Sequence, residues 1–123
     1  MSAALLAVFV GGGVGAAARY GLARWAAASG TEALWGTLAA NVLACALLAY
    51  LSARALPGDL GAGTPRLLLA TGFCGGFSTF STFAYEAYAL AQAGRPGAGL
   101  TYVAASLVLG LAAFALAGWS ALR

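Results

Sequence analysis

Residues 71–83 read TGFCGGFSTFSTF and lie inside a long apolar segment, residues 67–94. Three glycines and five hydroxyl side chains weaken an α-helix at a depth where no water can compensate freed backbone groups. We therefore expect a helix that is broken around Gly75–Thr79, with loose backbone carbonyl and N–H groups that line an ion site. A continuous, slightly bent helix is the alternative, because Ser and Thr can bond back to a preceding carbonyl.

The composition around this stretch is that of a membrane protein. Hydrophobic residues make up 63% of the 123 residues and charged residues only 7%, whereas soluble domains are about 25% charged. An ordinary soluble enzyme and a disordered module are therefore excluded. Each membrane-spanning helix needs about 20 apolar residues, so the chain has room for four spans. The apolar runs predict one all-α membrane domain, residues 1–123, with spans near 2–25, 33–54, 66–94 and 98–122.

Local signals refine this layout at two places. No basic residue precedes the first apolar run, so we interpret that run as a retained span and not as a cleaved signal peptide. Proline and glycine residues between positions 56 and 65 predict a loop between the second and third spans.

The charges are balanced between the two sides of the predicted membrane domain. All six basic residues are arginines. Each side carries three of them: Arg19, Arg24 and Arg95 on the side of the first and third loops, and Arg54, Arg66 and Arg123 on the other. Orientation follows an imbalance of Lys and Arg in short loops, so this chain is expected to insert in both orientations, unless one arginine outweighs the others by its position. Because the arginines are isolated, no nucleic-acid partner is expected.

Small residues predict close helix contacts. Gly11 with Gly15, and Gly72 with Gly76, have the GxxxG spacing that lets helix backbones approach in lipid. Four thin helices enclose little interior, so we expect an oligomer. The alternative is that glycine and alanine serve here only as small apolar residues.

Residue types for enzyme chemistry are scarce. The chain has no histidine and only three scattered acidic residues, which argues against a catalytic metal site or a His-containing triad. Cys45 and Cys74 each lie in an apolar run and are interpreted as small buried hydrophobic residues. We predict that the protein is not an enzyme.

Polar and aromatic side chains instead suggest a path for an anion. Phe80 and Phe83 are three residues apart and share a helix face, with the hydroxyls of Ser81 and Thr82 between them. A phenyl ring has a positive edge that can face an anion, although phenylalanines at this spacing usually only pack. The amide of Asn41 in the second span either donates to a small anion or makes an interhelical hydrogen bond.

Two charged residues have open roles at this stage. Glu86 is the acidic residue inside a predicted span, near its outer end, where solvated capping or pairing with an arginine is favoured over proton transport. Arg19 closes the first apolar run and either reaches the lipid headgroups or gathers anions at a pore mouth.

Three motifs together resemble the CrcB/Fluc family of fluoride channels. They are Gly12-x-x-Gly15-Ala16-x-x-Arg19-Tyr20, Gly36-Thr37-x-x-x-Asn41, and residues 72–83. The resemblance extends over essentially the whole chain, including its length and its four spans. Ser78 stands where the family usually has Thr, and Ala44 where Gly often follows the Asn; neither change removes a pore group.

The resemblance implies an antiparallel, dual-topology homodimer in the bacterial inner membrane, with two fluoride pores and one sodium ion at the interface. Backbone carbonyls of Gly75 and Ser78 would bind the sodium, and Arg19 would lie in the vestibule. The implied pore residues are the ring pair Phe80 and Phe83, the donors Asn41, Ser81 and Thr82, and the outer supports Thr37 and Tyr102.

The expected function is passive export of cytoplasmic fluoride, which relieves its toxicity. The alternatives are a small dual-topology exporter coupled to protons and a structural subunit without transport of its own.

Overall fold

The computed structural model describes residues 2–54 and 63–123, so most of the loop predicted between positions 56 and 65 lies outside the described residues. The elements are α1 (Ala3–Ala28), α2 (Ala33–Arg54), α3 (Thr64–Arg66), a π helix (Leu67–Cys74), α4 (Gly75–Phe77), α5 (Phe80–Gln92) and α6 (Pro96–Ala121). Four helical segments are long and apolar enough to cross a membrane, the third being Thr64–Gln92. The predicted all-α membrane class with four spans is confirmed.

The third segment changes its backbone conformation near its middle. Ser78 (φ −79°, ψ 158°) and Thr79 (φ −155°, ψ 123°) are extended, and they separate α4 from α5. Thr79 caps the start of α5, since its side-chain oxygen accepts a hydrogen bond from the Thr82 N–H at 3.2 Å. The two extended residues are therefore held by local bonds at the start of the second helical piece.

Glycines allow α1 to lie directly against the π helix and α4. A methyl group at Gly15 would overlap the backbone of Phe73 and Phe77, and one at Gly76 would overlap the backbone of Gly12. The two GxxxG pairs of the sequence therefore meet within a single chain. Lipid gives helices no hydrophobic reason to associate, so this backbone approach is the main source of their contact.

The buried side chains form two small clusters on either side of the extended pair. One consists of Ala40, Ala44 and Phe77. The other consists of Leu34, Phe83, Leu90 and Tyr102. α2 contributes to both clusters, because it packs along α6 and also touches the third segment. Many large apolar side chains remain exposed on the outer faces of the helices, as expected of a surface that meets lipid or another subunit.

Substitution of Gly15 tests the close helix contact. We expect Gly15→Ala to destabilise the folded protein by about 1–3 kcal/mol, because the added methyl forces α1 away from the π helix. The matched control is Gly13→Ala, where a methyl meets no atom within 4 Å and alanine is the better helix former. Thermal unfolding in detergent, followed by size-exclusion chromatography, measures both. Equal midpoints for the two variants would contradict the packing argument.

Candidate functional site

Asn41 holds the extended pair of the third segment at two points. The Asn41 Nδ2 donates to the Thr79 carbonyl oxygen at 3.1 Å, and the Thr79 N–H donates to the Asn41 Oδ1 at 2.7 Å. An unpaired backbone group inside a membrane costs several kcal/mol. The side chain of Asn41 therefore replaces the hydrogen bonds that a continuous helix would have given Thr79.

Two carbonyl groups near the extended pair lose their ordinary helical partners. The Thr79 N–H would serve the Gly75 carbonyl in an uninterrupted helix, but it is bonded to Asn41 instead. No hydrogen bond between described residues reaches the carbonyl oxygen of Ser78. The carbonyls of Gly75 and Ser78 are the two groups that, by the family resemblance, would bind sodium.

A cavity of about 280 Å³ lies beside the extended pair. Side chains and backbone from α2, the third segment and α6 line it: Asn41, Cys45, Ser78, Thr79, Phe80, Phe83, Ser106, Leu107 and Gly110. The rings of Phe80 and Phe83 are 5.6 Å apart between centroids and tilted by 49°. Phe83 is 9% exposed, whereas Phe80 is 79% exposed, so this chain covers the Phe83 ring and leaves the Phe80 ring at its surface.

Hydroxyl groups surround the same turn. Thr79 Oγ1 donates to Thr82 Oγ1 at 3.1 Å and lies 3.3 Å from Ser81 Oγ. Thr79 is thus the centre of a small hydroxyl cluster that includes both predicted donors, Ser81 and Thr82.

Ser106 is a cavity residue that the sequence analysis missed. Its hydroxyl oxygen is buried and has no hydrogen-bond partner among the described residues. Buried polar atoms are normally paired, so an unpaired hydroxyl that lines a cavity indicates room for a hydrogen-bonding ligand. The available signal was its spacing, because Ser106 lies four residues after Tyr102 and therefore on the same helix face.

A second polar group lies closer to the turns that join α1 to α2 and α5 to α6. Thr37 Oγ1 donates to Glu86 Oε1 at 2.9 Å, and the Tyr102 hydroxyl donates to Glu86 Oε2 at 2.6 Å. Thr37 and Tyr102 are only 1% and 2% exposed. The expectation that Glu86 is solvated or paired with an arginine is wrong, because neighbouring helices place these neutral donors against its carboxylate.

One aromatic contact connects the two polar groups. The Phe83 and Tyr102 rings lie 5.4 Å apart between centroids. Phe83 also lines the first cavity, and Tyr102 bonds Glu86. Thr37 and Asn41 share a face of α2 but have different partners. Asn41 bonds Thr79 of the extended pair, and Thr37 bonds Glu86.

Arg19 lies within α1 and its side chain contacts the third segment. The α1 helix continues nine residues past it, to Ala28, which is about 14 Å at the rise of an α-helix. The Arg19 Nε donates to the Gly76 carbonyl oxygen at 3.3 Å. Contact with lipid headgroups or the gathering of anions at a pore mouth stays a prediction for Arg19.

Comparison with known proteins identifies close relatives. The profile of the family described as "CrcB-like protein, Camphor Resistance (CrcB)" matches residues 6–119. A "Fluoride-specific ion channel FluC" of Rhizobium johnstonii is 42% identical over 127 aligned residues, which cover 100% of this chain and 98% of that protein. Proteins of the same name from Chlorobium phaeobacteroides (43% identical; 89% and 85% covered) and Thermus thermophilus (44% identical; 86% and 84% covered) are also similar.

Removal of the Asn41 amide tests its role at the extended pair. We expect Asn41→Ala to destabilise the protein by about 2–4 kcal/mol, because the N–H and carbonyl of Thr79 then lose their partners. Hydrogen–deuterium exchange of a peptide containing Thr79 should accelerate. Leu43→Ala on the exposed face of the same helix is the control. If exchange at Thr79 is the same in both variants, Asn41 does not hold this turn.

Proposed function

The chain belongs to the CrcB family, and we propose that it is a passive, fluoride-selective channel that exports cytoplasmic fluoride. The observation that carries this proposal is its likeness, over most of its length, to proteins named fluoride-specific ion channels. It is a multi-pass membrane protein, and its relatives are bacterial, so the membrane proposed for it is the bacterial inner membrane. No observation favours a proton-coupled exporter. That the protein is not an enzyme stays a prediction.

Asn41 lines the first cavity, and the hydroxyls of Ser81 and Thr82 lie next to its lining residue Thr79. Asn41 has two amide N–H groups; one is bonded to the Thr79 carbonyl, which leaves the second for an anion. Its carbonyl oxygen, which would repel an anion, accepts the Thr79 N–H. Ser81 and Thr82 add hydroxyls that can rotate toward the ion. We assign these three residues to fluoride binding.

The phenyl pair provides the remaining contacts in this proposal. A fluoride without water must replace strong hydrogen bonds, since a buried charge without partners is costly. Phe80 and Phe83 are tilted against one another, and an edge presented to the ion offers its positive rim. The resemblance adds Tyr102 and Thr37 as outer supports. Their hydroxyls donate to Glu86, and the Tyr102 ring packs against Phe83, so in this proposal they position the ring pair.

Sodium is proposed as a structural ion. A hard cation prefers oxygen ligands, and the carbonyls of Gly75 and Ser78 lack the helical partners they would otherwise have. Two carbonyls from each of two subunits would give four oxygen ligands. The residues present therefore fit the ion that the family resemblance implies.

The proposed assembly is an antiparallel homodimer with both orientations in the membrane. The exposed ring of Phe80 supports a second subunit that completes the cavity. The arginines support both orientations because they are balanced, with Arg19, Arg24 and Arg95 on one side and Arg54, Arg66 and Arg123 on the other.

Passive transport is sufficient for export. Hydrogen fluoride crosses lipid as a neutral acid and ionises inside, where the anion is trapped. An anion that leaves a cell with a negative interior gains about 2.3 kcal/mol per 100 mV. A selective pore therefore needs no coupled energy source.

Ion flux from liposomes that contain only this protein tests the function. We expect fluoride efflux far faster than chloride efflux, with no requirement for a pH gradient, because a pore lined by fixed donors favours the small, strongly hydrogen-bonding anion. Comparable chloride efflux, or fluoride efflux that stops when the pH gradient is collapsed, would overturn the proposal.

Substitution of the phenylalanines separates ring edges from bulk. Phe80→Ile and Phe83→Ile keep much of the apolar volume but remove the ring edges. We expect each to lower fluoride efflux by about tenfold or more, because a barrier raised by about 1.4 kcal/mol slows a rate tenfold. Phe→Met at the same positions is the milder control, because a polarizable thioether fills the gap. Assembly is checked by size-exclusion chromatography. Undiminished efflux in both Ile variants would show that the rings only pack.

A further inference from the structure

An ion pair joins the two turns at one end of the molecule. Arg95, between α5 and α6, donates from Nη2 to Glu32 Oε1, between α1 and α2, at 2.9 Å. Both side chains are about half exposed. Glu32 raises the pKa of the Arg95 guanidinium above its ordinary value, through the hydrogen bond and the opposite charge. The guanidinium is therefore a permanent positive charge at this end.

The pair borders a cavity of about 170 Å³. This cavity reaches Tyr102, which belongs to the second polar group with Thr37 and Glu86. Its polar lining consists of Glu32, Arg95, Thr101 and Tyr102. The Tyr102 hydroxyl donates to Glu86, and the Tyr102 ring contacts Phe83 at the first cavity. From the Asn41 cavity to the surface, the sequence of contacts is therefore Phe83, Tyr102, and then the cavity that Arg95 borders.

We propose that Arg95 is the anion-binding residue at this mouth of the pore, and that Glu32 weakens its hold on the ion by competing for the guanidinium. The inference rests on the proposed function. It adds a residue pair that neither the sequence motifs nor the family resemblance points to.

The donor inventory of Arg95 supports this role. A guanidinium carries five N–H donors, and Glu32 is the single acceptor that Arg95 bonds among the described residues. The other donors have no partner among the described residues, and Arg95 stands at the rim of a cavity that Leu34, Trp35, Leu90 and Ala98 also line. A channel must bind its ion strongly enough to admit it and weakly enough to release it. An unopposed arginine in a narrow mouth would hold fluoride, whereas the adjacent carboxylate offers the guanidinium an alternative partner.

Two single substitutions break the same ion pair but change the mouth charge in opposite directions. In liposomes at low ionic strength, we expect Arg95→Gln to raise the half-saturating fluoride concentration about threefold and Glu32→Gln to lower it by a similar factor. Both shifts should shrink at about 0.3 M salt, because exposed charges are then screened. Arg24→Gln, which removes an exposed arginine from the same side without lining this cavity, should leave the value unchanged.

The direction of the shifts decides the inference. If both variants shift in the same direction, the ion pair only stabilises the turns and the inference is wrong. If neither variant shifts while the parent protein passes fluoride, the inference fails and the proposed function stands. If the parent protein passes no fluoride, the proposed function fails first. Should Arg95→Gln not assemble, Glu32→Gln decides alone: a lowered half-saturating concentration supports the inference, and an unchanged or raised one overturns it.

Discussion

The paired hydrogen bonds between Asn41 and Thr79 are the interaction on which the rest of the site depends. In lipid, a helix that stops must find partners for its freed backbone groups. One amide side chain supplies both a donor and an acceptor, and α2 brings it to the point where α4 ends and α5 begins. Because the Thr79 N–H is satisfied there, Ser78 and Thr79 can stay extended. The carbonyls of Gly75 and Ser78 then lack helical partners. Thr79 caps the start of α5, whose Phe80 and Phe83 lie beside the cavity.

That turn also needs a support on its other side, which the glycines of α1 provide. Gly15 allows the backbone of Phe73 to approach α1 closely, and Arg19 donates to the carbonyl of Gly76 just before the turn. The Arg19 guanidinium is stabilised at this half-buried position only while the Gly76 carbonyl stays in place. The close helix contact and the Arg19 bond therefore fix residues 73–77, directly before the extended pair that Asn41 holds at Thr79.

The composition and the apolar runs predicted the four spans well, because membrane thickness sets a length and charged residues end each run. The glycines and hydroxyls of residues 71–83 weaken a helix locally, and Ser78 and Thr79 within that run are extended. The pairing of Glu86 with Thr37 and Tyr102 could not be predicted, because it depends on how three separate helices approach one another. The bond from Arg19 to the Gly76 carbonyl could not be predicted either, because it depends on how α1 packs against the third segment. Ser106 was missed because one serine in an apolar helix has no distinctive pattern.

The positions of Asn41, Phe83 and Glu86 in the site suggest how the proposed channel discriminates between anions. Asn41 is restrained by two bonds to Thr79, so its remaining N–H is fixed before an ion arrives. Glu86 is restrained in the same way by Thr37 and Tyr102. Between these levels lies Phe83, a buried ring whose contact with an anion is weaker than a hydrogen bond. The Thr37 and Tyr102 hydroxyls already donate to the Glu86 carboxylate, so an ion that leaves Asn41 gives up a strong contact and finds no free hydroxyl donor there. The fixed donors of the site are therefore those around Asn41. Fluoride is compact and a strong hydrogen-bond acceptor, so it gains most from such fixed donors. A larger anion loses its water just as completely but fits the same positions less closely. Selectivity in this chain then follows from the rigidity that the extended pair requires for its own stability.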